Sequence, residues 1–186
     1  ALISKGLLDE ARDRHDTLIE RLGPAARAGV TITGCEPSCV LTLKDELPAL
    51  ARGDAVEDAR AIARRTRLVD ELLVEALDDG ALALAPEAEF ANRRILFHGH
   101  CHQKAAGVTA PSVALLERIP GARVVALDAG CCGMAGSFGF ERAHYDLSLE
   151  IGGLRLFPAV RAEPPDTLLA ATGVSCRQQI AHGAGR

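Results

Sequence analysis

The sequence predicts an α/β chain built on parallel sheets, on three observations. Short apolar strands alternate with helical stretches, the pattern of a parallel sheet closed by crossovers. A cysteine motif stands directly after each strand, at the edge where ligands gather in such sheets. The chain has 186 residues, 48% of them hydrophobic and mostly Ala, Leu and Val, enough for one substantial core or two small repeated lobes.

Residues 2–22 open in the middle of a helical pattern and Ala1 is not an initiator residue, so the chain reads as a piece of something longer. Val30–Thr33 is the first strand, and it runs into Gly34-Cys35-Glu36-Pro37-Ser38-Cys39. A helical stretch follows from about Val40, with Pro48 as a break before Arg52. Ser38 is placed to cap that helix. A long helix from roughly Val56 to Asp78 carries Val69, Leu72, Leu73, Ala76 and Leu77 on one apolar stripe, which is expected to be core. Arg64, Arg65, Asp70, Glu71 and Glu75 fall mostly off the stripe, on a solvated face. Gly80 ends the helix and Pro86 sits in the connection to the next strand.

Arg94–Phe97 is the second strand, meeting His98-Gly99-His100-Cys101-His102 and a helix through Leu116. Arg123–Leu127 is the third, meeting Gly130-Cys131-Cys132-Gly133. Helical signals resume near His144, where Leu147, Ile151 and Leu154 share a face interrupted by Gly152 and Gly153. Leu168–Ala171 is the fourth strand, meeting Gly173-Val174-Ser175-Cys176 and a closing helix. The pattern gives two related Rossmann-like lobes, a truncated one with its connecting helix over 1–90 and a second over 91–186, with all six cysteines at the carboxyl edge of the strands.

Several function classes are excluded. A net charge of −4 without a basic stripe, no Trp and one Tyr leave neither an electrostatic footprint nor a stacking platform for nucleic acid. No apolar run reaches the length of a bilayer span. Helical stretches and a good apolar core set the six cysteines apart from a small secreted disulfide scaffold, and a reducing cytoplasm, with a peripheral position at the inner face of the membrane as a variant, is the expected location. No Walker loop, Rossmann glycine fingerprint or serine nucleophile elbow is present, and Gly133-Met134-Ala135-Gly136-Ser137-Phe138-Gly139 lacks the Gly-Lys-Ser/Thr ending of a phosphate loop.

The chemistry lies in the cysteines. Neighbouring Cys131 and Cys132 serve structure poorly, since a disulfide between adjacent residues strains the peptide. Two thiolates on one tight turn can instead grip neighbouring atoms of a metal cluster, while Gly133, Gly136 and Gly139 let the backbone pass close to a bulky group. Cys101, Cys131, Cys132 and Cys176 supply the four thiolates that common iron–sulfur clusters take, a 4Fe-4S centre foremost. Cys35 and Cys39 are a second candidate pair, permissible for zinc but unable to close a site alone. His98, His100 and His102 alternate around Cys101 and could bind zinc, move protons near a redox centre, or hydrogen-bond nearby backbone. Lys104 could neutralise a reduced cluster or meet an acidic substrate, and Asp128 is a turn former or a site residue. No residue is assigned a catalytic role.

These stretches resemble the cysteine-rich CCG domain of heterodisulfide reductase, of the glycolate oxidase iron–sulfur protein, and of the end of the large FAD-linked D-lactate and D-2-hydroxyglutarate dehydrogenases. The resemblance covers nearly the whole chain and is carried by Glu36-Pro37-Ser38-Cys39, by 98–104, by 130–139 and by Ser175-Cys176-Arg177-Gln178-Gln179-Ile180. It implies the iron–sulfur relay of an FAD-dependent 2-hydroxyacid dehydrogenase, with FAD on a missing fused or separate domain and a quinone or cytochrome as acceptor. It also implies a lone Cys, a Cys-Cys-Gly and a terminal Cys-x-x-Cys per repeat. Gln179 stands where the last cysteine would be, and only Cys35 and Cys39 represent the first repeat. A thiol–disulfide module of the heterodisulfide reductase kind and a structural zinc module are the alternatives.

Overall fold

The computed structural model describes residues 2–85 and 91–186, so Ala1 and Pro86 lie outside the described residues. The chain divides into two compact units, one ending at Val69 and the other running from Asp70 to Arg186. That division stands earlier than the repeat boundary read between residues 90 and 91.

In the first unit, helix α1 (Leu8–Arg27) leads into strand β1 (Ile32–Gly34), helices α2 (Pro37–Lys44), α3 (Glu46–Leu50) and α4 (Ala55–Arg65), and strand β2 (Thr66–Leu68). β1 and β2 pair in parallel, Ile32 opposite Thr66 and Gly34 opposite Leu68. Ile19 and Ala26 of α1 meet Leu47, Ala59 and Ile62 in the core of this unit.

The long helix expected from Val56 to Asp78 is interrupted at Thr66. Thr66 is β-branched and buried, a residue that favours extended backbone, and its Oγ1 donates to the Ile62 carbonyl at 2.8 Å, closing α4. A strand of this length leaves no period-two signature inside a helical background. Helix α2 starts at Pro37 rather than Val40, because a proline at the first helical position loses only an N–H that was unpartnered anyway. Ser38 does not cap it: its Oγ donates to Glu36 Oε1 at 2.8 Å. The break expected at Pro48 falls instead at Asp45, with Pro48 tolerated in the first turn of α3.

Helix α5 (Val69–Asp78) begins at the unit boundary. The second unit continues through β3 (Arg94–His98), α6 (Cys101–Ala105), α7 (Ala110–Glu117), β4 (Arg123–Ala126), α8 (Tyr145–Leu154), α9 (Leu156–Ala162), β5 (Leu168–Ala171) and α10 (Val174–Ala184). Its three strands are parallel in the order β4-β3-β5. The central strand β3 is apolar over Ile95, Leu96 and Phe97 and buried there, as a strand covered on both faces must be. Leu96 packs with Leu156, Phe157, Val160 and Ile180 in a core that takes in Cys132, Met134 and Cys176. Arg94 fastens the start of β3, donating from Nε and Nη2 to Glu163 at 2.6 and 2.8 Å. The fold class is thus α/β with two small parallel sheets.

Two helix faces differ from expectation. The stripe of α5 is half-buried, and the buried residue of that helix is Asp70, 6% exposed and assigned from sequence to a solvated face. The shared face of α8 points outward, with Leu147 48% and Leu154 77% exposed. Its small residues turn inward instead, because Ser148 is needed against α10 and a side chain on Gly152 would overlap the Phe157 ring. Hydrophobicity alone cannot register that choice.

Candidate metal-binding cysteine site

The four cysteines of the second unit come from the ends of its three strands. Cys101 opens α6 after β3, Cys131 and Cys132 lie in the loop after β4, and Cys176 sits in the first turn of α10 after β5. Parallel strands deliver all three loops to one edge, with the central β3 between its neighbours. The thiols neighbour one another in series, Cys101 beside Cys131, Cys131 beside Cys132, and Cys132 beside Cys176. Cys132 and Cys176 are buried, while Cys101 and Cys131 are half-buried. Among the described residues, no three or more Cys, His, Asp or Glu side chains close on a single-ion position.

Electrostatics divide the four thiols. Cys131 is held well below the ordinary thiol range, chiefly by hydrogen bonds from Cys101 and Cys132, with the backbone N–H groups of Gly133 and Ala135 assisting. The Gly133 N–H reaches its sulfur at 3.3 Å. Cys176 is likewise pulled down, first by Cys132 and then, against burial, by His98. Cys101 and Cys132 are pushed up because each donates to a neighbour that carries the charge. The four thiols thus share their protons as a set, and as thiolates they offer the soft sulfur donors that bind soft metals.

The three histidines part ways. His98 ends β3 and is buried. His100 caps α6: its Nδ1 accepts from the His102 N–H at 3.1 Å, while its own N–H donates to Gln103 Oε1 at 3.2 Å. His102 is exposed, its ring edge-on to His100 at 5.1 Å between centroids. Lys104 Nζ donates to the carbonyls of Ala129 and, at 3.2 Å, Gly130, clasping the loop that presents Cys131. Burial lowers its pKa, with Cys176, Cys101, Asp128 and Cys131 opposing that shift. Asp128 is exposed, and Arg155 Nη1 donates to its carboxylate at 3.4 Å.

Sequence reasoning missed the frame behind these loops. Gln103 is fully buried; its Nε2 donates to Ser112 Oγ at 3.0 Å and its Oε1 accepts from Thr172 Oγ1 at 2.6 Å. Ser112 Oγ in turn donates to Asp70. Gln103 thus ties the loop bearing Cys101 to the loop bearing Cys176. Asp70, Ser112 and Thr172 carry no motif; the available signal was Gln103 three residues past His100, the spacing of a capping box. Gln179, at the position where the CCG resemblance leads one to expect a cysteine, is buried and donates from Nε2 to the Ser148 carbonyl and hydroxyl oxygens at 2.9 Å each.

Cys35 and Cys39 belong to the first unit, at the carboxyl end of β1 and in the first turn of α2, and both are exposed. The expectation of six cysteines on one edge is corrected in this respect: they sit on two separate sheets. In the metal-free protein, Cys35 and Cys39 should react with a thiol reagent in a fast phase, ahead of Cys132 and Cys176. Mass-spectrometric mapping of alkylation over time checks this, and equal protection of all six cysteines would contradict it.

No protein-family model matches the chain. It is 30% identical over 181 residues to one of the subunits of the anaerobic glycerol-3-phosphate dehydrogenase of Escherichia coli K12, covering 96% of this chain and 43% of that protein. It is 32% identical over 178 residues to the D-2-hydroxyglutarate dehydrogenase of the same organism, covering 95% of this chain and 16% of the relative. The dehydrogenase of that name from Haemophilus influenzae is 26% identical over 185 residues. No solved structure matches. The chain therefore spans less than half the length of these curated relatives and is similar to a segment of two kinds of dehydrogenase.

Proposed function

We propose that this chain supplies the iron–sulfur electron relay of an FAD-dependent dehydrogenase, carrying electrons from flavin to an external acceptor. The supporting observation is the continuous chain of four thiols drawn from three strand-end loops. Cys101, Cys131, Cys132 and Cys176 would hold the centre, and a purely thiol donor set suits iron–sulfur ligation. When bound, such a centre exchanges single electrons, which lets a two-electron flavin serve a one-electron acceptor.

The residues of this chain do the holding. Burial of Cys132 and Cys176 keeps water from two of the sulfurs, Lys104 braces the loop that presents Cys131, and the Gly133 N–H supports the sulfur of Cys131. The two kinds of relative are named for different substrates, glycerol-3-phosphate and D-2-hydroxyglutarate. A segment shared between them serves a step common to both rather than the choice of substrate. The substrate, for which we propose a 2-hydroxyacid, then belongs with the flavin domain outside this chain.

The full-length protein, purified without oxygen, should be brown, contain iron and acid-labile sulfide, and lose its visible absorption on adding dithionite. Stoichiometric zinc without iron would replace this reading with the structural zinc module.

A further inference from the structure

His98 has no assigned role and an unusual situation. It is 2% exposed, and no nitrogen or oxygen atom partners either ring nitrogen; the Cys176 sulfur is the polar group beside it. A buried polar group left unpaired forfeits its hydration with nothing in return, so native structures seldom tolerate one without a reason. The two neighbouring histidines offer a contrast, since His100 caps a helix and His102 faces solvent.

The period of the strand fixes where the ring points. Side chains two apart on a strand share a face, so His98 lies on the face of Leu96. Leu96 belongs to the core that contains Cys132, Met134 and Cys176, and Ala171, opposite His98 in register, packs against the same core. That apolar cluster offers the ring sulfur atoms. His98 also stands among the groups beside the Cys176 thiol. In either protonation state an imidazole carries at least one N–H.

We propose that His98 is a positioning residue of the four-cysteine site, directing a ring N–H at the Cys176 sulfur and thereby setting the reduction potential of the centre held there. This rests on the function proposed above. Hydrogen bonds to ligand sulfur are a main lever on iron–sulfur potentials, because they stabilise the more negative, reduced form. The Cys176 sulfur is the acceptor that this buried ring has at hand, since no nitrogen or oxygen atom partners it.

The test is a redox titration of the full-length, iron-loaded protein, followed by electron paramagnetic resonance and visible absorption. His98→Leu should lower the midpoint potential so that the oxidised-to-reduced ratio at fixed potential rises about tenfold, or ~59 mV for a one-electron couple. His98→Gln, which keeps an N–H donor, should recover at least half of that shift. An iron-loaded His98→Leu protein with unchanged potential overturns the inference alone. So does strong nitrogen hyperfine coupling that His98→Gln abolishes, since His98 would then be a ligand. If His98→Leu does not load iron, a His98→Gln protein that loads and holds the wild-type potential supports the role, and loss of iron from both overturns it. Absence of iron and sulfide from the wild-type protein defeats the proposed function itself, a result distinct from all of these.

Discussion

Replacing Cys132 by Ser should remove most of the iron from the full-length protein while leaving its helical circular dichroism largely intact. Cys132 is buried within the thiol series, with Cys131 on one side and Cys176 on the other. Serine preserves the shape and can still hydrogen-bond both neighbours, so the fold loses little. It offers a hard hydroxyl where the proposed iron–sulfur centre would take a soft thiolate. Losing a group that merely orients a ligand costs about 10–100-fold in metal affinity, and losing the ligand should cost more. The consequence for turnover separates relay from chemistry. With the flavin domain present, substrate should still reduce FAD in a single turnover, because the proposed function puts hydride transfer before the relay. Steady-state transfer to an external acceptor should fall by roughly the fraction of iron lost, beyond tenfold on the affinity argument. Failure of FAD reduction, with flavin bound and the fold intact, would show that these cysteines take part in the substrate chemistry.

The parts of this molecule legible in the sequence are those where one residue type does one job. Strands β3 and β5 were readable because runs such as Ile95-Leu96-Phe97 must be apolar to lie at the centre of a parallel sheet. The position of the cysteine loops after the strands was readable because each motif directly follows a short apolar run. Strand β2 was not, since Thr66–Leu68 is set in helical periodicity and its pairing with β1 is non-local. The outward turn of Leu147 and Leu154 was hidden because the inward face of α8 is chosen by close approach at Ser148 and Gly152, not by hydrophobicity. Asp70 read as a surface charge because its partners, Ser112 and Gln103, are more than thirty positions away. Polar frames built from distant residues leave no local pattern, and this one holds the Cys101 and Cys176 loops together.

Gly133→Ala should destabilise the protein by about 2–5 kcal/mol, the largest effect of any alanine in the 130–139 loop. Sequence reading gave Gly133, Gly136 and Gly139 one shared purpose, a backbone that passes close to something bulky; the structure separates them. Gly133 has φ +95 and its missing side chain would overlap the Ser148 carbonyl of α8, a backbone atom that cannot turn aside. It combines left-handed strain, about 1–2 kcal/mol for a residue with a Cβ, with overpacking worth about 1–3 kcal/mol. Gly136 has φ +67 but open space around it, so Gly136→Ala should show the strain alone. Gly139 has no left-handed backbone, but a Cβ there would crowd Ser148 Oγ and, at 2.7 Å, Met134 Sδ, so Gly139→Ala should show the packing alone. Urea denaturation of the three variants, compared at equal slope, measures both components and their sum. Because Gln179 Nε2 lies 3.1 Å from the same position and is hydrogen-bonded to Ser148, the strain at Gly133 would also push on Gln179. A Gly133→Ala protein no less stable than Gly136→Ala would mean that α8 yields to the loop, and that the Cys131-Cys132 turn is not braced by Ser148.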